Sequence, residues 1–526
     1  MANPFSKEEK LFSICSPCYK DTYKHLDGWV DALGKQEYKN WEAIVVFDGP
    51  NKRGVREMER LIKKHHNLNL QYYVKEHGGA CSARNYAVER SKGDYIAFPS
   101  PDCYLYPEAL RIWANEFEDL KINRVWGMYD IIQSDGNISQ PVGNAPVDSS
   151  GKVWYPAFKF SPYCDGTFPI RRTAYIEWDE SCKSLNDWEY SLRLLKKTNF
   201  RGDDWKYIHH SFFAAEAPQP GGLSDHSHQN WKSQSTSVKS KNGIENNDIC
   251  VASMGAPTHA FKVSDILGAD YLRMPSFKDH DYKMVYLLGF YTKEDPTTPY
   301  VTKAHMDVFE NNKGVNVIHW IGTDILQLRW NCSFEKIKAL KKWFKEKKII
   351  HLAECEWTQK ELAEVGIKAR VVPIPPSELY QPIPLPEEFT VGIYDPNSEM
   401  YNKELMLEIK RACPDIRFYF FGDPNKKGTD HLGWIDLKEW MPKFSCNLRV
   451  TVHDGLPLTP LQFLTAGRNV VYNYPLKGAI ECTKSRESIV KALREAQKKP
   501  LSPEITKYWQ KELSHDKYKK TIEGLK

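Results

Sequence analysis

No stretch of this 526-residue sequence is apolar for long enough to cross a bilayer. The longest wholly apolar run, near Met284 to Tyr291, falls far short of the ~20 residues a spanning helix needs, so any membrane association is expected to be peripheral. Cysteine is present, 12 in all, but without the paired spacing of a disulfide framework. With no signal-peptide pattern at the start, that scatter fits free thiols in a reducing cytosol. Cys15-Ser-Pro-Cys18 is a lone CxxC with no second pair nearby, which argues against zinc or redox use. A strong charge of one sign is also missing. The 73 Lys and Arg against 68 Asp and Glu leave a net +5, too little to imply nucleic acid. The sharpest basic run, Lys341 to Lys348, reads as a solvated helix face, with an anionic membrane or polymer as the alternative contact.

Apolar residues at 41% and 16 Trp, 28 Tyr and 23 Phe supply ample core for a soluble protein. Single cores stop growing at about 250–300 residues, so two or three domains are expected. Strand and helix patterns alternate, the signature of α/β folds with parallel sheets. In the first part, strands are expected at 11–15, 43–47, 71–74, 95–98 and 125–128. Leu26, Trp29, Val30 and Leu33 form a helical stripe between the first two. The polar stretch 234–247 reads as a linker. A second series follows, with strands at 249–252, 283–288, 315–319, 348–352 and 370–372. A proline-rich connector, 373–386, leads to a third set at 389–393, 417–421, 447–452 and 469–472. The expected domains are 1–235, a linker at 236–247, then 248–380 and 381–526 as two halves of one module.

The most informative stretch, from Gly78 to Asp102, reads GGACSARNYAVERSKGDYIAFPSPD. A small-residue loop enters a helix carrying Arg84 and Asn85, and an apolar strand then delivers Asp102 at its carboxyl end. Helix N-termini and strand carboxyl ends are where α/β folds bind phosphates, because unpaired N–H groups and a positive dipole end point into the crevice. A hard cation such as Mg²⁺ or Mn²⁺ takes oxygen ligands there, one from a carboxylate and others from a diphosphate.

Gly79, Ser82, Ala83, Arg84, Asn85, Gly93, Asp94, Tyr95, Ile96 and Phe98 resemble the GT-A glycosyltransferases of the inverting family 2. The family's Asp-x-Asp metal motif stands here as Ser100-Pro101-Asp102, with only its second carboxylate. The resemblance implies a Rossmann-like nucleotide-sugar domain, a nucleotide diphospho-sugar donor, a glycan or other hydroxyl acceptor and a divalent cation, Mn²⁺ or Mg²⁺. It also implies inverting transfer, which needs a general base on the acceptor hydroxyl. Asp187, in Ser184-Leu-Asn-Asp187-Trp-Glu-Tyr-Ser-Leu-Arg193, matches the base position, with Glu189 as the fallback and helix capping as the plain alternative. Pro17, Asp48 and Arg84 match nucleotide-binding positions. His226 or His228 would complete the metal shell.

In the second part, VNVIHWIGTD at 315–324, ARVVPIPPSEL at 369–379 and HDGLPLTPLQFLTAGRNVVYN at 453–473 resemble GT-B glycosyltransferases of the retaining family 4. That implies two Rossmann-like halves. The family's two glutamates correspond to Asp454, facing the donor, and Gln462, on the ribose; Lys403 and the Gly422 turn would face phosphate. The second module is then a further transferase or a degenerate acceptor-binding module. Two rival readings stay open. One is a non-catalytic glycan- or nucleotide-binding protein; the other is a DNA-modifying glucosyltransferase.

Overall fold

The computed structural model describes residues 9–138, 153–160, 166–216, 231–253, 256–272, 280–292, 305–310, 312–376, 378–423 and 428–526. Among these, contacts divide the chain into a first unit ending at Glu245 and a second beginning at Asn246.

The first unit is built on β1 (Phe12–Cys18), β2 (Trp41–Asp48), β3 (Leu70–Lys75), β4 (Tyr95–Ala97), β5 (Cys103–Leu105), β6 (Arg124–Ile132), β7 (Ile170–Arg171) and β8 (Trp205–Glu216). They form one mixed sheet in the order β3-β2-β1-β4-β7-β6-β8-β5. Every residue of β1 and β2 is buried, which explains their near-continuous apolar runs: parallel strands covered on both faces have no polar side to show. β1, β2, β3 and β4 are mutually parallel, so their carboxyl ends share one edge. The central strands follow the sequence pattern. β5, β7 and β8 were not expected, since they are short or carry polar residues.

The polar stretch read as a linker overlaps an α-helix, Trp231–Lys241. Its burial falls on Ser235, Val238 and Lys239, with Asn242 buried just past its end, a helical spacing carried mainly by polar side chains. Lys239 lies over the Phe160 ring and Lys241 pairs with Asp179 at 2.9 Å, so the helix is anchored by contacts that apolar periodicity does not reveal.

The second unit holds two parallel sheets. One runs β10-β9-β11-β12-β13-β14, from β9 (Ile249–Ala252), β10 (Asp270–Leu272), β11 (Met284–Leu288), β12 (Val315–Trp320), β13 (Ile349–Ala353) and β14 (Arg370–Val371). The other runs β16-β15-β17-β18-β19, from β15 (Thr390–Tyr394), β16 (Arg417–Phe421), β17 (Cys446–Arg449), β18 (Asn469–Tyr472) and β19 (Ile480–Glu481). Two glycines seal the seam between their loops. A Cβ on Gly322 would lie 2.7 Å from the Gly455 amide nitrogen, and one on Gly455 would run into both the Glu354 carboxylate and the Ile321 carbonyl. Gly455→Ala is therefore expected to lower second-unit stability by about 1–3 kcal/mol in a urea melt, an overpacking effect against the Glu354 carboxylate and the Ile321 backbone.

Candidate active site

Several sequence candidates meet at the edge where the four parallel strands of the first unit end. Pro17 is buried in β1 opposite Val46, and Asp48 closes β2. Both Asp48 oxygens hold the loop after β3, accepting from the Gly78 and Gly79 amides at 2.8 Å each, with His77 Nδ1 at 2.7 Å and Lys75 Nζ at 3.4 Å. Burial pushes this carboxyl up, but the two amides, Lys75 and His77 outweigh it and hold it below the ordinary range. Gly79 starts the helix Ala80–Glu89 at φ +97°, a backbone state that glycine adopts without penalty. Asp48 thus fixes where that helix N-terminus points.

Asp102 lies in the turn between β4 and β5, slightly beyond the strand end expected for it. The Cys103 amide bonds the Ser100 carbonyl at 2.9 Å, and the Glu216 amide bonds the Asp102 carbonyl at 3.1 Å. Cys18, at the end of β1, is within its field. Burial pushes the Cys18 thiol up to about 11, Thr22 counters, and Asp102 adds to the rise.

Asp187 is in the first turn of the helix Asn186–Lys196, whose Trp188, Leu192 and Leu195 are buried. No side chain caps this helix, and its N-cap residue Leu185 has left-handed φ 53°, a costly conformation for a branched side chain. Next door, Asn186 Oδ1 accepts from Arg84 Nη1 at 3.1 Å, and Arg84 lies 4.3 Å over the Trp178 ring. Asn85 receives the Tyr175 hydroxyl and the Trp178 amide, each at 2.8 Å, which docks that segment on the Ala80–Glu89 helix. A Cβ on Gly166 would lie 3.5 Å from Asp187 Cβ, and the neighbouring Thr167 carbonyl accepts the Phe98 amide at 3.1 Å. Asp187 therefore borders the segment paired to the end of β4, the strand whose turn carries Asp102.

Glu189 is otherwise engaged: Arg193 grips both its oxygens, at 2.7 and 3.0 Å. His226 and His228 lie outside the described residues. Sequence reading passed over the stacked rings of Tyr19 and His77, 4.8 Å apart beside Asp48, although Tyr19 follows Pro17 by two positions. No group of three or more His, Cys, Asp or Glu able to hold a metal occurs among the described residues. A single strand-end carboxylate at Asp102 fits only an ion that keeps waters and phosphate oxygens as its other ligands.

Residues 13–178 match the Glycosyl transferase family 2 model. That domain is of the transferase class. An uncharacterized glycosyltransferase of Rickettsia bellii is 32% identical over 193 residues, covering 35% of this chain and 27% of that protein. One from Rickettsia conorii is 31% identical over 136 residues, covering 26% and 22%. A Bacillus subtilis glycosyltransferase named for teichuronic acid biosynthesis is 32% identical over 92 residues, covering 18% and 36%. The chain spans about a quarter of the length of the two Rickettsia relatives. Among solved structures, Staphylococcus aureus TarS 1–349 in complex with UDP-GlcNAc aligns at 16% identity over 64% of this chain and 81% of that one, with a TM-score of 0.35, too low to assign a fold. Asp187 lies beyond the stretch matched by the family 2 model.

In the second unit Asp454 is enclosed by its own strand ends. Arg449 Nε and Nη2 donate to its two oxygens at 2.6 and 2.8 Å, joined by the Tyr472 hydroxyl at 3.0 Å and Thr451 at 3.3 Å. Gln462 is buried in the helix Leu458–Thr465. Lys403 opens the helix Lys403–Ala412 and reaches Asn397 Oδ1 at 3.4 Å and Asp395 at 3.8 Å. Gly422 turns at φ +112° against the Tyr394 ring.

Glu354, which no sequence motif marked, sits in the seam and accepts the Leu456 amide at 2.7 Å. Burial raises its carboxyl well above the ordinary range; the Leu456 amide and Arg449 counter, while Asp324 and Asp454 push it further up. Asp324, also fully buried, is raised to about 6, chiefly by burial. A raised carboxyl is protonated longer in the folded chain than in the unfolded one, so stability is lost as pH climbs from the unfolded value through the folded one. Glu354→Gln keeps the acceptor oxygen and removes the charge. The variant's melting temperature is expected to fall less than the parent's between acid and mildly alkaline pH.

Proposed function

We propose that the first unit transfers a sugar from a nucleotide diphospho-sugar to a hydroxyl acceptor with inversion at the anomeric carbon. The observation that carries this reading is Asp187, anchored through Asn186 to Arg84, bordering the strand edge that also presents Asp102 and the Gly78–Gly79 loop. Asp187 takes the acceptor proton as the hydroxyl oxygen bonds to the anomeric carbon. The bond from that carbon to the diphosphate oxygen breaks, and the diphosphate leaves with its charge. In this reading the N–H groups at the start of the Ala80–Glu89 helix and the Arg84 guanidinium receive it. Asp102 would hold Mn²⁺ or Mg²⁺, which when bound offsets diphosphate charge. The Tyr19–His77 stack beside Asp48 offers an aromatic shelf for the nucleotide base.

The two parallel sheets of the second unit agree with a GT-B-like pair of Rossmann halves. Its donor-facing candidate, Asp454, is held by Arg449 with both side chains nearly buried, 10% and 11% exposed, which favours a binding or scaffold module over a second transferase.

Calorimetric titration of nucleoside diphosphates, with and without Mn²⁺, tests the donor site. Binding to the parent is expected to require the ion and to weaken by about tenfold or more in Asp102→Asn, a loss of ~1.4 kcal/mol or greater. Ion-independent binding that the substitution leaves unchanged would contradict the assignment.

A further inference from the structure

Two of the most exposed aromatic side chains described in the molecule flank one short turn of the second unit. Trp330, near the end of the helix Thr323–Asn331, is 70% exposed, and Phe334, the first residue of the helix Phe334–Glu346, is 77% exposed. The turn between them is fixed: the Ser333 hydroxyl caps the second helix by accepting the Lys336 amide at 3.2 Å. Phe334, Lys338, Lys341 and Lys345 follow at steps of four, three and four residues, which puts them on one helix face, and all four are exposed. Lys342 widens that face and pairs only loosely with Glu346, at 3.9 Å. The opposite face carries Leu340 and Phe344, with Ile337 and Trp343 packed beside them on the core of the first parallel sheet. The helix is therefore held inward by its apolar stripe while a cationic stripe about 16 Å long, begun by Phe334, faces out, and Trp330 is exposed across the short turn.

We propose that this face docks the chain on an anionic lipid surface, with Trp330 and Phe334 entering the headgroup boundary and Lys338, Lys341 and Lys345 meeting lipid phosphates. Charge complementarity names the anion. The rings decide between sources, because an aromatic side chain gains by leaving water at a lipid interface, whereas a hydrated anionic polymer offers it no apolar phase. Neither feature suffices by itself, since stable peripheral binding takes two signals, an apolar anchor and a basic patch. The inference stands independently of the transfer reading for the first unit.

Co-sedimentation of the full chain with vesicles tests it. Phosphatidylcholine vesicles containing phosphatidylglycerol are expected to pellet the parent, pure phosphatidylcholine vesicles are not, and added salt is expected to release the protein. Trp330→Ala with Phe334→Ala should reduce partitioning by about tenfold or more, and Lys338→Glu with Lys341→Glu and Lys345→Glu by about a hundredfold or more. Because every side chain altered is exposed, both variants should keep the parent's melting temperature; Lys→Gln at the same three positions repeats the test if the reversals do not. Equal binding to both vesicle types, or none, would overturn the proposal. So would polyphosphate capture that the aromatic double variant retains in full, which would assign the stripe to a polymer. A parent dimer that the same variant dissolves would assign the rings to a second copy.

Discussion

Asp187→Asn is expected to lower the rate of nucleoside diphosphate release by about 10²–10⁴-fold, the range that a positioned general base contributes. Donor affinity should stay close to the parent's, because the amide keeps the shape of the carboxylate and leaves the Asn186–Arg84 bond at 3.1 Å in place. Steady-state kinetics read this as a collapse of kcat with little change in KM for the donor. The expectation separates Asp187 from Glu189, whose oxygens are taken by Arg193. Glu189→Gln would loosen that pair, whose carboxylate is buried, so its main effect should appear in the melting temperature. Equal loss of kcat in the two variants would mean that the first turn of this helix acts through its fold.

Arg449→Ala carries the largest expected effect on stability. It strips Asp454 of a two-point partner in a site where both side chains are nearly buried, and breaking such a pair from one side costs about 3–5 kcal/mol. Urea melts that follow the second unit should show this loss, while nucleoside diphosphate release by the remaining folded protein continues. Replacing both partners, Arg449→Met with Asp454→Leu, should recover most of the stability, since matched apolar side chains leave no stranded charge. If Arg449→Ala instead abolished turnover with stability unchanged, Asp454 would belong to a working site.

What could be read from the sequence was whatever is local. The buried parallel strands showed as apolar runs, and the loop, helix and strand from Gly78 to Asp102 showed as a motif, because these depend on neighbours within a few residues. The role of Asp48 was legible only in part. Its match to a nucleotide position pointed to the site edge, but its grip on Gly78 and Gly79 lies 30 and 31 residues away and exists only once β2 and β3 pair. Asp454 was harder still. Arg449 is five residues off, on β17, and Tyr472 comes from β18, so the enclosure of the carboxylate depends on strand order that no spacing encodes. The helix Trp231–Lys241 was missed for a compositional reason: Ser235 and Lys239 occupy buried positions that a pattern search reserves for apolar residues.

If the first unit transfers the sugar by a single displacement, the anomeric carbon inverts. Proton NMR of the sugar first released from an anomerically defined donor, with water in place of the acceptor, addresses this most directly. The coupling constant of the anomeric proton, read before mutarotation, is expected to report the configuration opposite to the donor's. Release of sugar with the donor's own configuration would contradict direct displacement at Asp187 and move the reaction to the second unit.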